Sequence, residues 1–134
     1  MAVSAAPSRE AVEKVAKDFM AAISALDADA FVNCFADDGE SHDPEGAPPN
    51  IGHDALRAYF NGMAGLIDSI RLTPDALYVS GNSVAVPWTC SARGKNGKQA
   101  DATGVDVIVV NAAGKIQEQH GYWDAEAFVT TVTS

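Results

Sequence analysis

The chain has 134 residues, 47% of them hydrophobic, with 9 basic against 18 acidic side chains and a formal net charge of -9. That length suits one domain with one core and is too short for two of ordinary size. The acidic balance works against a phosphate backbone or an anionic membrane surface, so neither nucleic acid nor membrane is an expected partner.

From Ser8, a suitable N-cap with Glu10 in the first turn, apolar residues fall at Val12, Val15, Phe19, Ile23 and Leu26, one face of a first long helix. Asp27 can cap a short second helix that turns Phe31 and Phe35 inward and ends at the acidic loop Asp37-Asp38-Gly39. A brief strand, Glu40 to Asp43, is expected next. Pro44 to Gly52 holds three prolines and two glycines and reads as a loop, after which Leu56, Tyr59, Phe60, Met63 and Ile67 mark a third helix.

The remainder reads mostly as strand. Val84, Val86, Trp88 and Cys90 alternate with Ala85, Pro87 and Thr89, and Gly94-Lys95-Asn96-Gly97 turns the chain into a long strand ending at Val110. Pro87 argues for an edge or a bulge, because it cannot donate to a ladder. Asn111-Ala112-Ala113-Gly114 is a second hairpin turn, Ile116 to Trp123 a last strand, and Asp124 to Thr131 a short helix. Helices on one face of a mostly antiparallel, strongly bent sheet form an α+β domain with a pocket between the layers.

Cys34 and Cys90 stand at no metal-like spacing and outside any Cys-x-x-Cys pair, which fits reduced thiols. Met1 to Pro7 lacks the basic start and apolar stretch of a secretory signal, and no later run reaches bilayer length. A cytoplasmic protein is expected, with residues 1–7 flexible and 8–134 forming the domain.

Asp106 interrupts the apolar run Gly104-Val105-Asp106-Val107-Ile108-Val109-Val110. A carboxylate there is costly to bury ionised and must be hydrogen-bonded, paired or protonated. Period two places it with Gly104 and Ile108, away from Val105, Val107 and Val109. Asp43 precedes Pro44, which biases its backbone toward extended geometry at a strand end, suited either to a solvated turn or to a cavity. If both aspartates face one cavity, an ionised one can take a proton while a second, kept neutral by an apolar site, donates.

Trp88 and Trp123 suit core packing or an apolar pocket wall, with Gly121 leaving room and Gln119 supplying a polar contact. His42, Asp43 and Glu45 have the residue types of a ligand cluster, but adjacent strand residues diverge and no second cluster completes the set, so no metal is expected. His53 opens a helix, and His120 is out of phase with Trp123. No Gly-rich phosphate loop, nucleophile elbow or basic stripe occurs, and no cofactor is expected.

The strings Phe35-Ala36-Asp37-Asp38, Asp43-Pro44-Glu45-Gly46, Gly52-His53-Asp54-Ala55-Leu56-Arg57, Val105-Asp106 and Asn111-Ala112-Ala113-Gly114-Lys115-Ile116 follow one another in a familiar order. Over nearly its whole length the chain resembles the ketosteroid isomerase family, within the nuclear-transport-factor-like and SnoaL-like polyketide cyclase superfamily. The resemblance implies a cystatin-like, cone-shaped α+β barrel: a strongly curved mixed, mostly antiparallel sheet packed against three N-terminal helices around one apolar pocket. It matches Asp43 to the general base that moves a proton beside a carbonyl, and Asp106 to the protonated acid of the oxyanion hole. It also places Val86, Trp88 and Cys90 on the pocket-facing strand and Trp123 on the wall, and it implies a homodimer through the outer sheet face, near His120 and Tyr122.

Where the family has oxyanion-donating tyrosines this chain has Phe19 and Phe60, with Tyr59 beside the latter. Losing a principal donor costs roughly a hundred- to thousandfold in rate, so Asp106, Trp88, Gln119 or Tyr59 would have to hold an enolate. The leading expectation is a double-bond shift from Δ5 to Δ4 in a steroid-like or polycyclic ketone. A polyketide cyclase or epoxide hydrolase on the same scaffold is the second reading, and a non-catalytic module binding a small apolar ligand is the third.

Overall fold

The Ser8 side chain accepts the backbone N–H of Ala11 at 3.1 Å and so starts α1 (Arg9–Ser24), whose Val12, Val15, Ala16, Phe19 and Met20 are buried. Asp27 does the same for α2 (Ala28–Asn33), accepting from Ala30 at 3.0 Å. These are the first elements of a computed structural model that describes residues 6–134; of the segment 1–7 expected to be flexible, residues 1–5 lie outside the described part.

Strand β1 spans Phe35–His42, β2 Asn50–Ile51 and α3 His53–Ala64. Then come β3 (Ile67–Pro74), β4 (Tyr78–Ser80), β5 (Ser83–Gly94), β6 (Gln99–Val110), β7 (Ile116–Trp123) and α4 (Ala125–Thr133). The seven strands form one sheet in the order β2-β1-β7-β6-β5-β3, with β4 also on β5. Only the β1–β7 pair is parallel, so the sheet is mixed and mostly antiparallel. It curves over α1 to α3 as an α+β cone.

Three expectations shift in detail. Phe35 opens β1 and does not close α2, and Asp37-Asp38-Gly39 lies inside that strand. The register with β7 slips between Phe35 and Glu40, a bulge that holds both aspartates in solvent, while a Cβ on Gly39 would stand 2.8 Å from the Ile116 carbonyl. Ile67 keeps the buried position that helical spacing gave it, but the helix ends at Ala64 and Ile67 begins β3. Pro87 sits in an interior strand: β3 reaches β5 as far as Trp88 and β4 takes over at Ala85, so the imide nitrogen falls in the gap between them.

Period two sorts the sheet into two faces. Ser41, Val86, Trp88, Asp106, Ile108, Gln119 and Gly121 point toward the helices, and all are buried. Opposite them, the outer face carries the exposed Ile51, Tyr78, Val105 and Tyr122. Cys34 and Cys90 are free and buried, and burial pushes both thiols up to about 11, which keeps them inert near neutral pH. Among the described residues no helix is long and apolar enough to cross a membrane.

Candidate active site

Two glycines make the room in which the site is built. Gly104 of β6 pairs with Trp88 on one side and Trp123 on the other, and a Cβ there would come within 2.6 Å of the Trp88 ring and 2.8 Å of Trp123 Cβ. The two indoles therefore close over it, edge to face, with centroids 5.8 Å apart. Gly121 of β7 pairs with Asp106, and a Cβ there would stand 2.6 Å from Asp43 Oδ1 and 3.1 Å from Asp106 Oδ1. Those two oxygens thus lie within about 6 Å of each other, close enough for each charge to disfavour the other.

Each carboxylate is fastened by one indole. Trp123 Nε1–H donates to Asp43 Oδ1 at 2.6 Å, and Trp88 Nε1–H donates to Asp106 Oδ1 at 3.2 Å. Behind them, the buried Ser41 hydroxyl donates to Gln119 Oε1 at 2.5 Å. With its oxygen so engaged, the Gln119 amide turns its NH2 toward Asp43 Oδ2, at 3.5 Å. Asp43 follows directly on β1 through a cis bond to Pro44, and the Glu45 N–H donates to the Gly121 carbonyl at 2.7 Å, which holds the turn against β7.

Burial raises the Asp43 pKa, against the pull of the Trp123 and Gln119 hydrogen bonds. Burial and then the Asp43 charge push Asp106 up to about 8, against Trp88 and Gln119. Both carboxyl groups are thus pushed toward the protonated form, and their surroundings differ. Asp43 has the shorter indole bond and opens on the cavity, whereas Asp106 is 4% exposed and has the longer one.

The cavity, of about 100 Å³, lies between this wall and the helices. Asp43, Tyr59, Phe60, Trp88, Cys90 and Trp123 line it, along with apolar residues from α1, α2, β3 and α4. Asp43 is the one carboxylate among its lining residues. Tyr59 feels the charges of both aspartates, and its phenol, raised first by burial and then by those charges, stays protonated. It makes no side-chain hydrogen bond among the described residues and so remains a free donor.

Other sequence-predicted residues stand behind the lining. Phe19 is packed against Phe31 and Phe35 with ring centroids 5.5 and 5.9 Å away, Val86 is fully buried beside Asp106, and Gln119 acts through Asp43. Asp106 itself is screened from the cavity and bonded to Trp88. Sequence reasoning missed Ser41, which carries no pattern of its own, and Phe128 of α4, which lines the cavity and packs on Trp123 at 5.4 Å. His53 bonds the Phe35 carbonyl, away from the site. The separation of His42 from any partner cluster is overturned: the parallel pairing of β1 with β7 brings His42, Glu118 and His120 together on the outer face.

A raised carboxyl pKa makes stability depend on pH with a definite sign. Asp106 binds its proton more tightly folded than unfolded, so its contribution is complete below 3.8 and is lost as pH rises through about 8. Asp106→Asn, which keeps a neutral donor, should flatten this decline. Urea-unfolding midpoints between pH 4 and 9 should show the variant gaining on the native protein as pH rises; parallel profiles would contradict a neutral Asp106.

Two comparisons bear on this geometry. A solved structure of SalBIII, an epoxide hydrolase/cyclase-like enzyme described for its role in pyran ring formation in polyether salinomycin, superposes with a TM-score of 0.79 at 23% identity, covering 89% of this chain and 95% of that one. Identity at that level shows a shared fold. Residues 16–119 match the family model of the SnoaL-like domain. That stretch runs from the first helix through Gln119 and takes in both aspartates, so the chain belongs to the family of SnoaL-like domains, within the nuclear-transport-factor-like superfamily.

Proposed function

We propose that the protein is an enzyme that moves a proton beside a carbonyl in a small apolar ligand, the double-bond shift of a steroid-like or polycyclic ketone, with Asp43 as base. The observation that carries this reading is a carboxylate, held by two donors, in the wall of an otherwise apolar cavity. Asp43 takes a proton from the carbon next to the carbonyl; the C–H electrons form the enolate double bond, and the same carboxyl returns the proton to another carbon. The enolate oxygen needs a donor in the cavity, and Tyr59 meets that need. Asp106, which resemblance assigns to the oxyanion, keeps the carboxyl pair at a single negative charge from behind Trp88.

Phenylalanine at positions 19 and 60 and the likeness to an epoxide hydrolase/cyclase-like enzyme support a second reading. There Asp43 takes the proton of an attacking hydroxyl or water while Tyr59 protonates the opening epoxide, closing a ring or forming a diol. Both readings use the same base. The exposed Val105, Tyr122 and Tyr78 also support a homodimer through the outer sheet face, formed by reduced chains in the cytoplasm.

Conversion of a Δ5 to a Δ4 ketosteroid, followed by ultraviolet absorbance, tests the first reading. Asp43→Asn should lower the rate about a hundred- to ten-thousandfold and Tyr59→Phe roughly a hundred- to thousandfold, with binding of a planar phenol retained. Conversion indifferent to Asp43→Asn would overturn the role of Asp43. Epoxide opening that depends on Asp43, without ketosteroid turnover, would favour the second reading. Light scattering should give twice the 14.0 kDa chain mass, falling to one chain in Tyr122→Glu; a native monomer would contradict the dimer.

A further inference from the structure

We propose that the outer face of the sheet holds a divalent transition-metal cation of the zinc, copper and nickel class, bound by His42 Nε2, His120 Nε2 and a carboxylate oxygen of Glu118. The site is separate from the cavity and does not depend on the proposed reaction. Strands β1 and β7 run parallel with His42 beside His120 and Glu40 beside Glu118, so two imidazoles and two carboxylates form a square on one sheet face. One ligand atom from each of His42, Glu118 and His120 falls within 4.8 Å of the other two. A tetrahedral ion with ligands at about 2.0–2.2 Å needs them roughly 3.4 Å apart, so binding requires side-chain rotation within the cluster.

The hydrogen bonding bears on what the cluster can bind. His120 Nδ1 lies 2.7 Å from Glu45 Oε2, and its Nε2 lies 3.1 Å from Glu118 Oε1. A neutral imidazole donates through one nitrogen only; with Nδ1–H given to Glu45, the Nε2 lone pair faces a carboxylate oxygen. His42 differs: its Nδ1 has no hydrogen-bond partner among the described residues, so its Nε2 can donate to Glu40 Oε1 at 3.3 Å and must give up that proton to bind an ion. Among the described residues no lysine or arginine pairs with Glu40, Glu45 or Glu118. Protons on the imidazoles or a bound cation would offset these carboxylates, and imidazole with carboxylate is a donor set for zinc, copper or nickel.

Glu45 then acts as the outer carboxylate that fixes the His120 tautomer and leaves Nε2 free to bind. The imidazoles are stacked nearly parallel, with centroids 4.4 Å apart and planes 17° apart, so a shared ion requires one ring to rotate until its Nε2 converges on that of the other, with water completing the coordination. A cation here ties together the ends of β1 and β7, the strands that deliver Asp43 and Trp123 to the other face. Protons compete for the same lone pairs. Burial lowers the His120 pKa, but its bonds to Glu45 and Glu118 outweigh that effect and raise it overall, so binding should weaken as pH falls through the imidazole range.

Titration of the purified full chain with Cu2+, read by electron paramagnetic resonance, and with Zn2+, read by calorimetry, tests the site. One ion per chain is expected, with coupling to two imidazole nitrogens in the copper spectrum. His42→Gln and His120→Gln should each weaken binding at least tenfold, Glu118→Gln should weaken it as well, and His53→Gln should leave it unchanged. Far-UV circular dichroism checks that each variant is folded; if one is not, the nitrogen coupling of the native chain decides. A spectrum with one nitrogen or none, or affinities that do not respond to the His42 and His120 changes, would mean that protons alone neutralise the cluster and would overturn the proposal.

Discussion

Two carboxylates within about 6 Å of each other in an apolar wall cannot both be ionised at ordinary cost, and the site is organised around that constraint. Gly121 creates it, because any side chain there would take the space that the carboxyl groups of Asp43 and Asp106 occupy. The two tryptophans then divide the pair unequally. Trp123 grips Asp43 at 2.6 Å beside the cavity, whereas Trp88 meets Asp106 at 3.2 Å in a deeper position. Unequal donors and unequal exposure distinguish the two carboxyl groups, and the proposed division into a base at the cavity and an acid behind it rests on that difference.

The fold supplies this asymmetry through register. Ser41, Gln119, Ile108 and Val84 lie side by side on β1, β7, β6 and β5, and the next inward-facing row carries Gly121, Asp106 and Val86, so the hydroxyl and amide stand one row from the buried acid. The bulge in β1 sets where that strand meets β7, and so where Asp43 leaves the sheet. The opposite face uses the same alternation for another purpose. There Glu40, His42, Glu118 and His120 gather charge at the strand ends, and the apolar Val105 and Tyr122 stand beside them.

Much of this was legible in the chain. Asp106 could be read because alternation inside an apolar run leaves a carboxyl no exit to solvent, and the helix starts at Ser8 and Asp27 because capping is a local property of backbone and side chain. Phe35 and Ile67 were read as inward-facing but assigned to the wrong element, since both lie where helical spacing passes into strand. What stayed hidden depends on pairing between distant strands. The sequence offers Trp88 as wall or enolate donor and Trp123 as wall, because only the register around Gly104 and Gly121 aims their N–H groups at the aspartates. Ser41 and the His42–Glu118–His120 cluster required the parallel β1–β7 pair, which no local pattern announces.

The central claim is that Asp43 and Asp106 share one proton near neutral pH, with Asp106 holding it. Carbon-13 resonances of the aspartate carboxyl groups, followed from pH 3 to 10 in native protein and in Asp43→Asn, test it most directly. The account predicts that Asp106 remains protonated at pH 7 and ionises near 8 in the native chain, and that its step moves down when the neighbouring charge is removed. Ionisation of both carboxyl groups near the ordinary 3.8, unchanged by Asp43→Asn, would contradict it.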